Sequence, residues 1–277
     1  MNRVLIRVIG APLLLAGLAL CAYADFSRKT TTAVTVLIGC FAAISFHELC
    51  AMARKKGLRP AVIPGLAAII VNFAGLLGMT GPGPGFVTVT LVLLIFVLLK
   101  QVFCSRDFTP IDAGYTILAY EYVSLLLFIP FNAEAQSWMY WLLFLVATNK
   151  GSDMAAYVVG KTIGRHKLAP AVSPNKTWEG AIGGLVVGTV LGVVVLRTWQ
   201  ASVAGTHFSA DLGFLAAVSA GVTVAAQLGD LVKSAIKRWA GVKDSGRLLP
   251  EFGGALDMVD SFILSAPVAA WLVLGRF

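Results

Sequence analysis

The chain has 277 residues, of which 58% are hydrophobic and only 13% charged, with a formal net charge of +8. A soluble domain carries about 25% charged residues, so this balance excludes a globular core with a solvated surface and implies a polytopic membrane protein. The cations are scattered between apolar stretches rather than gathered on one face, so no nucleic-acid partner is expected; in a membrane protein such an excess belongs to cytoplasmic loops.

A bilayer span needs about 20 apolar residues. Nine segments meet or approach that length: 4–23, 31–52, 62–80, 84–103, 112–131, 137–158, 178–197, 210–231 and 255–275. A bilayer admits only helices or closed barrels, and these runs lack the alternation of barrel strands. The expected fold class is all-α: a single integral membrane domain over 1–277, of about nine transmembrane helices. Arg3 and Arg7, ahead of an apolar run ending Ala22-Tyr23-Ala24, resemble a cleavable signal peptide. A retained first helix is the reading that keeps the charge pattern consistent. The four cysteines (Cys21, Cys40, Cys50, Cys104) show no metal-ligand spacing, and Cys21 and Cys40 read as small packing residues.

The connecting loops give the orientation. Arg54, Lys55, Lys56 and Arg59 follow span two, and Lys100 and Arg106 follow span four. Lys161, Arg165, Lys167 and Lys176 follow span six; Lys233, Lys237, Arg238, Lys243 and Arg247 follow span eight. The alternate loops are poor in cations: GPGPG at 81–85 has none, and 132–136 holds only Glu134. Positive charge marks the cytoplasmic side, which puts the N-terminus and the even-numbered loops there. Arg28 and Lys29 run against the assignment, and Asp25 offsets them in part. The C-terminus then emerges on the far side, followed only by Arg276.

Two polar clusters stand out, and both fall on the cytoplasmic face, where nucleoside triphosphates are available. At the end of span eight, Asp230, Ser234, Lys237 and Arg238 are spaced to share one helical face. Snorkelling to the headgroup layer accounts for a Lys or Arg there, but Asp230 has no long stem with which to escape. Asp257 and Asp260 lie one turn apart at the start of span nine, where helix capping is the ordinary explanation for an acid. Gly253-Gly254 just upstream would let backbone approach a ligand closely. Three acids at one edge repel one another unless a cation is bound. Mg²⁺ takes one or two carboxylates and completes its shell with water and phosphate oxygens, so Asp230, Asp257 and Asp260 are the candidate metal ligands. Whether a second cation joins it is open.

The other cluster covers 150–180. Asp153 lies inside span six, and an ionisable residue within a span is a candidate site residue. Ser173 or Thr177 reads as a helix cap, whereas Lys176 near a helix N-terminus is unfavourable unless an anion binds beside it. His166 reads as a loop residue. His47-Glu48 in span two and Glu121 in span five read as intramembrane hydrogen-bonding groups, with Glu48 only a weak site candidate.

These clusters resemble the phosphatidate cytidylyltransferase (CDP-diacylglycerol synthase) family. The first block, D-x-x-A-Y-x-x-G and then K-L-A-P-x-x-S-P-x-K-T-W-E-G-x-x-G-G, runs here from Asp153 to Gly184. The second, S-x-x-K-R-x-x-x-x-K-D-x-G-x-x-x-P-G-H-G-G-x-x-D-R-x-D, begins at Ser234. It keeps Lys237, Arg238, Lys243, Asp244, Gly246, Pro250, Gly253, Gly254, Asp257 and Asp260. Glu251, Phe252 and Met258 depart from the usual Gly, His and Arg. The first half of the chain resembles the family only in being apolar.

The resemblance implies that CTP and phosphatidate give CDP-diacylglycerol and pyrophosphate, with Mg²⁺ as cofactor and the catalytic part in about 150–261. It implies catalytic roles for Asp230, Lys237, Arg238, Asp257 and Asp260. Substrate binding would fall to Asp153, Ser173, Lys176, Thr177, Ser234, Lys243, Asp244, Gly253 and Gly254. The expected setting is the bilayer of the inner membrane, with the site facing the cytoplasm; a homodimer is compatible with this. A catalytically silent relative, a transporter with an acidic ion site and, more remotely, a CDP-alcohol phosphotransferase stay open as alternatives.

Overall fold

The structure, a computed structural model, describes residues 20, 21, 23, 25, 30–77, 86–103, 108–130, 138–202, 211–246 and 253–274. Outside them lie most of the first expected span, Arg28, Lys29, the GPGPG segment, Cys104, Arg106, Glu134, Arg276, and Arg247, Pro250, Glu251 and Phe252 of the second motif.

The apolar runs fold as helices because a backbone in lipid must satisfy its hydrogen bonds within the segment. In chain order these are α1 (Thr32–Lys55), α2 (Val62–Leu76), α3 (Phe86–Phe103), α4 (Pro110–Ser124), α5 (Trp138–Thr162), α6 (Trp178–Ser202), α7 (Leu212–Ala240) and α8 (Ala255–Leu274). A 3₁₀ turn, Leu125–Phe128, continues α4. Among the described residues, five stretches are long and apolar enough to cross a membrane: Thr32–Lys55, Pro110–Phe128, Trp178–Ser202, Leu212–Ala240 and Ala255–Val273. The protein is a helical membrane protein.

Two details depart from the expected pattern. The polar stretch 159–177 is not a plain loop: after α5 ends, β1 (Lys167–Ala169) and β2 (Ser173–Thr177) pair antiparallel, with Lys167 opposite Thr177 and Ala169 opposite Ser173. Pro170 and Pro174 lack the N–H that a helix needs, so the chain turns back instead. The other departure is α7, which runs past the expected boundary at 231 through Lys233, Lys237 and Arg238 to Ala240. Lys, Arg and Ala sustain a helix as well as apolar residues do, so hydropathy ends before helicity. Gly241, at φ 71°, stops it.

The internal contacts fall into two units, residues 1–131 with 239–259, and 132–238 with 260–277. In the first, α1 presents the fully buried Phe46 to Gly65 of α2, where a Cβ would fall inside the ring. Asn72 Nδ2 donates to the buried Tyr120 hydroxyl (2.6 Å). The Tyr115 hydroxyl donates to the Leu49 carbonyl (3.0 Å), and its ring stacks on Trp239 at 5.7 Å. Buried acids cap helices here. Asp25 accepts from the Ala33 and Val34 amides (2.9 and 2.8 Å) at the start of α1. Asp112 forms a capping box with Thr109 and also accepts from the Arg59 amide.

In the second unit, Gly180, Gly184, Gly188 and Gly192 of α6 recur every fourth residue and are all buried. A Cβ on Gly180 would stand 2.7 Å from the Ala156 carbonyl oxygen, and one on Gly184 2.8 Å from that of Ser152. Small residues at this spacing let two membrane helices approach backbone to backbone, here α5 and α6. Gln227 of α7 ties all three helices, donating to Ser152 Oγ (3.1 Å) and the Ala181 carbonyl (3.0 Å).

Candidate active site

The close α5–α6 contact sets the hairpin and the charged end of α5 beside the end of α7. Asp230 and Lys233 lie one turn apart on α7, and Lys233 Nζ stands 2.9 Å from Asp230 Oδ1. The same ammonium pairs with Asp260 Oδ2 of α8. Asp230 Oδ2 pairs with Lys176 Nζ, from β2. Lys233 is 7% exposed and Asp260 4%, so this is a mostly desolvated network of two acids and two cations. Gly229 permits the convergence of α7 on α8, because a Cβ there would stand 2.6 Å from the Asp260 carbonyl oxygen. At the rim, Lys150 and the exposed Asp153 of α5 form a looser pair at 3.8 Å, within electrostatic reach of Lys176, Asp230 and Lys233.

A second cluster forms in the first unit, around the start of α8. Asp257 Oδ2 accepts from the Ser245 amide (3.0 Å), the Ser245 hydroxyl (2.9 Å) and the Gly254 amide (3.2 Å). Glu48 of α1 joins the same group through the Ser245 hydroxyl and the amides of Ala255 and Leu256.

Of the expected site residues, the structure thus brings Asp230, Asp260 and Lys176 into one network, with Asp153 at its rim. Asp257, Gly253 and Gly254 belong to the second cluster. Gly253 has φ 84°, and the Gly254 amide is committed to Asp257. Arg238 is exposed, and its Nε donates to the Val172 carbonyl (3.1 Å), tying the end of α7 to the hairpin turn. Ser234 and Lys237 are half-buried on α7, and Lys243 and Asp244 are exposed between α7 and α8. Ser173 opens β2. Thr177 is the helix cap expected of it: its hydroxyl is buried and accepts the Gly180 amide (3.1 Å). His166 pairs with Glu179 at 2.6 Å, and Glu179 also accepts the Arg165 and His166 amides.

Lys233 was assigned no site role from sequence, and Glu48 only that of a weak candidate. Lys233 was legible, standing one turn from Asp230 on a helical face. Glu48 was visible as an acid within a span, but its partners are 197, 207 and 208 residues away, and no local pattern reports that.

Oxygen donors from two helices suit a hard cation, and Mg²⁺ is content with one or two carboxylates when water and phosphate complete its shell. Asp230 and Asp260 fit that role, with Lys233 Nζ bridging them. Among the described residues no three His, Cys, Asp or Glu side chains group closely enough to hold an ion by themselves.

A family model described as the cytidylyltransferase family matches residues 1–274. The chain is 36% identical over 186 residues to the phosphatidate cytidylyltransferase of Staphylococcus haemolyticus (strain JCSC1435), covering 67% of this chain and 68% of that protein. It is 31% identical over 246 residues to the protein of that name from Bacillus subtilis (strain 168), covering 86% and 88%. Against that of Staphylococcus aureus (strain COL) it is 31% identical over 268 residues, covering 94% and 97%. The likeness therefore reaches well into the N-terminal half, beyond the two motif blocks that carried the resemblance.

Proposed function

The chain belongs to the cytidylyltransferase family, and on that premise we propose that it is a phosphatidate cytidylyltransferase, converting CTP and phosphatidate to CDP-diacylglycerol and pyrophosphate. The observation that supports the reading at particular atoms is the pairing of Lys176, from the first motif block, with Asp230 just ahead of the second, which Lys233 links in turn to Asp260 at its close. Such a network is a device for gathering polyanions.

An oxygen of the phosphatidate phosphate attacks the α-phosphorus of CTP. A new P–O bond forms, the bond from the α-phosphorus to the oxygen bridging it to the β-phosphorus breaks, and pyrophosphate leaves with the electron pair. The nucleophile is already an anion, so no general base is required, and a Phe at 252 in place of His is compatible with turnover. What the reaction needs is positioning and charge neutralisation. Lys176, held by one carboxylate, and Lys233, held by two, have long flexible stems that can exchange a carboxylate for a phosphate. Lys237 and Arg238 extend the cationic face along α7. Asp230, Asp257 and Asp260 are the acids for Mg²⁺, which when bound would neutralise charge on the triphosphate and on the departing pyrophosphate. Asp153, Ser173, Thr177, Ser234, Lys243, Asp244, Gly253 and Gly254 complete the proposed substrate side.

The same reading sets about nine spans in the inner membrane as one domain, with the N-terminus and the site facing the cytoplasm, because the Lys- and Arg-rich connections then share that side. A homodimer is compatible with this arrangement. The test is purified protein in detergent with labelled CTP, phosphatidate and Mg²⁺. CDP-diacylglycerol should form, and Asp230→Asn should lower kcat by about 100-fold or more. Well-folded protein that makes no product would overturn the assignment.

A further inference from the structure

We infer that Glu48 is a positioning residue for this reaction, fixing the start of α8 and, through Ser245, the carboxylate of Asp257. The inference rests on the activity proposed above. Glu48 lies on α1, far from both motif blocks, and is 6% exposed. Its Oε1 accepts the Ala255 amide (2.9 Å), and its Oε2 accepts the Leu256 amide (3.0 Å) and the Ser245 hydroxyl (2.8 Å). The two amides belong to the first turn of α8, where N–H groups have no partner within the helix.

Ser245 connects the acids. Its Oγ is within hydrogen-bond distance of Glu48 Oε2 and of Asp257 Oδ2, and its one proton serves one of them at a time. Two glycines of the second motif are shaped around the same carboxylate. A Cβ on Gly246 or on Gly254 would fall on Glu48, and one on Gly253 would stand 2.6 Å from Asp257 Oδ2. The Ser245 hydroxyl and the two amides that Glu48 accepts all belong to the segment that delivers Asp257. If packing alone mattered, an apolar side chain of similar size would serve α1 at least as well, because a buried polar network is often no more stable than a hydrophobic replacement. The acid instead holds a short segment to one conformation, as groups behind a reactive carboxylate do.

Glu48→Gln keeps the shape of the side chain while turning an amide NH₂ toward N–H and O–H donors. In detergent, kcat should fall by roughly 10–100-fold, and hydrogen exchange at residues 253–257 should speed up while α1 itself stays protected. A double-mutant cycle separates positioning from general weakening: Glu48→Gln combined with Asp257→Asn should be no slower than Asp257→Asn alone. Should Glu48→Gln fail to fold, Ser245→Ala removes only the hydroxyl link and should cost about threefold or more in kcat. Folded Glu48→Gln with wild-type kcat, unchanged exchange at 253–257, or losses that multiply in the double variant would overturn the inference. Absence of product from the wild-type chain would instead sink the activity, and the exchange data would still decide whether Glu48 holds the start of α8.

Discussion

Lys233 is the centre of the charged network, and its removal has a consequence that can be worked out from its neighbours. In Lys233→Met the side chain keeps its length and loses its charge. Asp230 retains Lys176, so the loss falls on Asp260, a carboxylate only 4% exposed. Breaking a buried ion pair from one side costs about 3–5 kcal/mol, because the remaining charge is left without a partner. With one acid left without its cation rather than two, and with Asp260 Oδ1 still accepting the Ser261 amide (2.7 Å), the lower end applies, about 3 kcal/mol. At roughly 2–4 °C per kcal/mol for a chain of this order of size, Tm in detergent with EDTA should drop by about 6–12 °C. Tryptophan fluorescence or size-exclusion recovery after heating would read it. Adding Asp260→Asn should restore most of the loss, since the orphaned charge is gone. Mg²⁺ should stabilise Lys233→Met more than it stabilises the wild type, where the ammonium competes for the same oxygens. Saturation to 100 times the dissociation constant is worth about 2.7 kcal/mol. A Tm within about 2 °C of wild type in EDTA, or a larger Mg²⁺ effect on the wild type, would refute the bridging role.

The glycine stripe and the helix cap make further predictions. Gly184→Ala brings a Cβ to 2.8 Å of a backbone oxygen that cannot swing away; it should cost about 1–3 kcal/mol and lower activity with it. Gly114→Ala in α4, where nothing lies within 4 Å, should instead be neutral or stabilising by up to about 1 kcal/mol, and thermal unfolding of the pair checks the contrast. Thr177→Ala should lose about 1 kcal/mol by removing the α6 cap, and Thr177→Ser should recover it; equal Tm values for the two variants would show that the hydroxyl caps nothing.

Helix positions were legible because each span is a local matter: in lipid every backbone group must find its partner nearby, so a long apolar run already implies a helix. The ends were less legible. The charges after Leu231 end the hydropathy signal but not α7, which stops only at Gly241. The hairpin at Lys167–Thr177 was hidden because its strands are three and five residues long and carry no alternation. The glycines at 180, 184, 188 and 192 are present in the sequence, but that they form a packing stripe, and that it meets α5 and α7, came only from the structure.

The acids and cations of both motif blocks were visible as chemistry, and so was their place near the polar ends of spans. Which acid meets which cation was not. Asp230 binds Lys176 of the hairpin as well as its helical neighbour Lys233, and Lys233 reaches Asp260, 27 positions on. Glu48 binds Ser245 at a separation of 197. A helix surface advertises only neighbours three or four residues apart. Pairings between helices depend on how closely the backbones approach and on which faces turn inward, and in the α5–α6 contact it is the packed glycines that permit the approach.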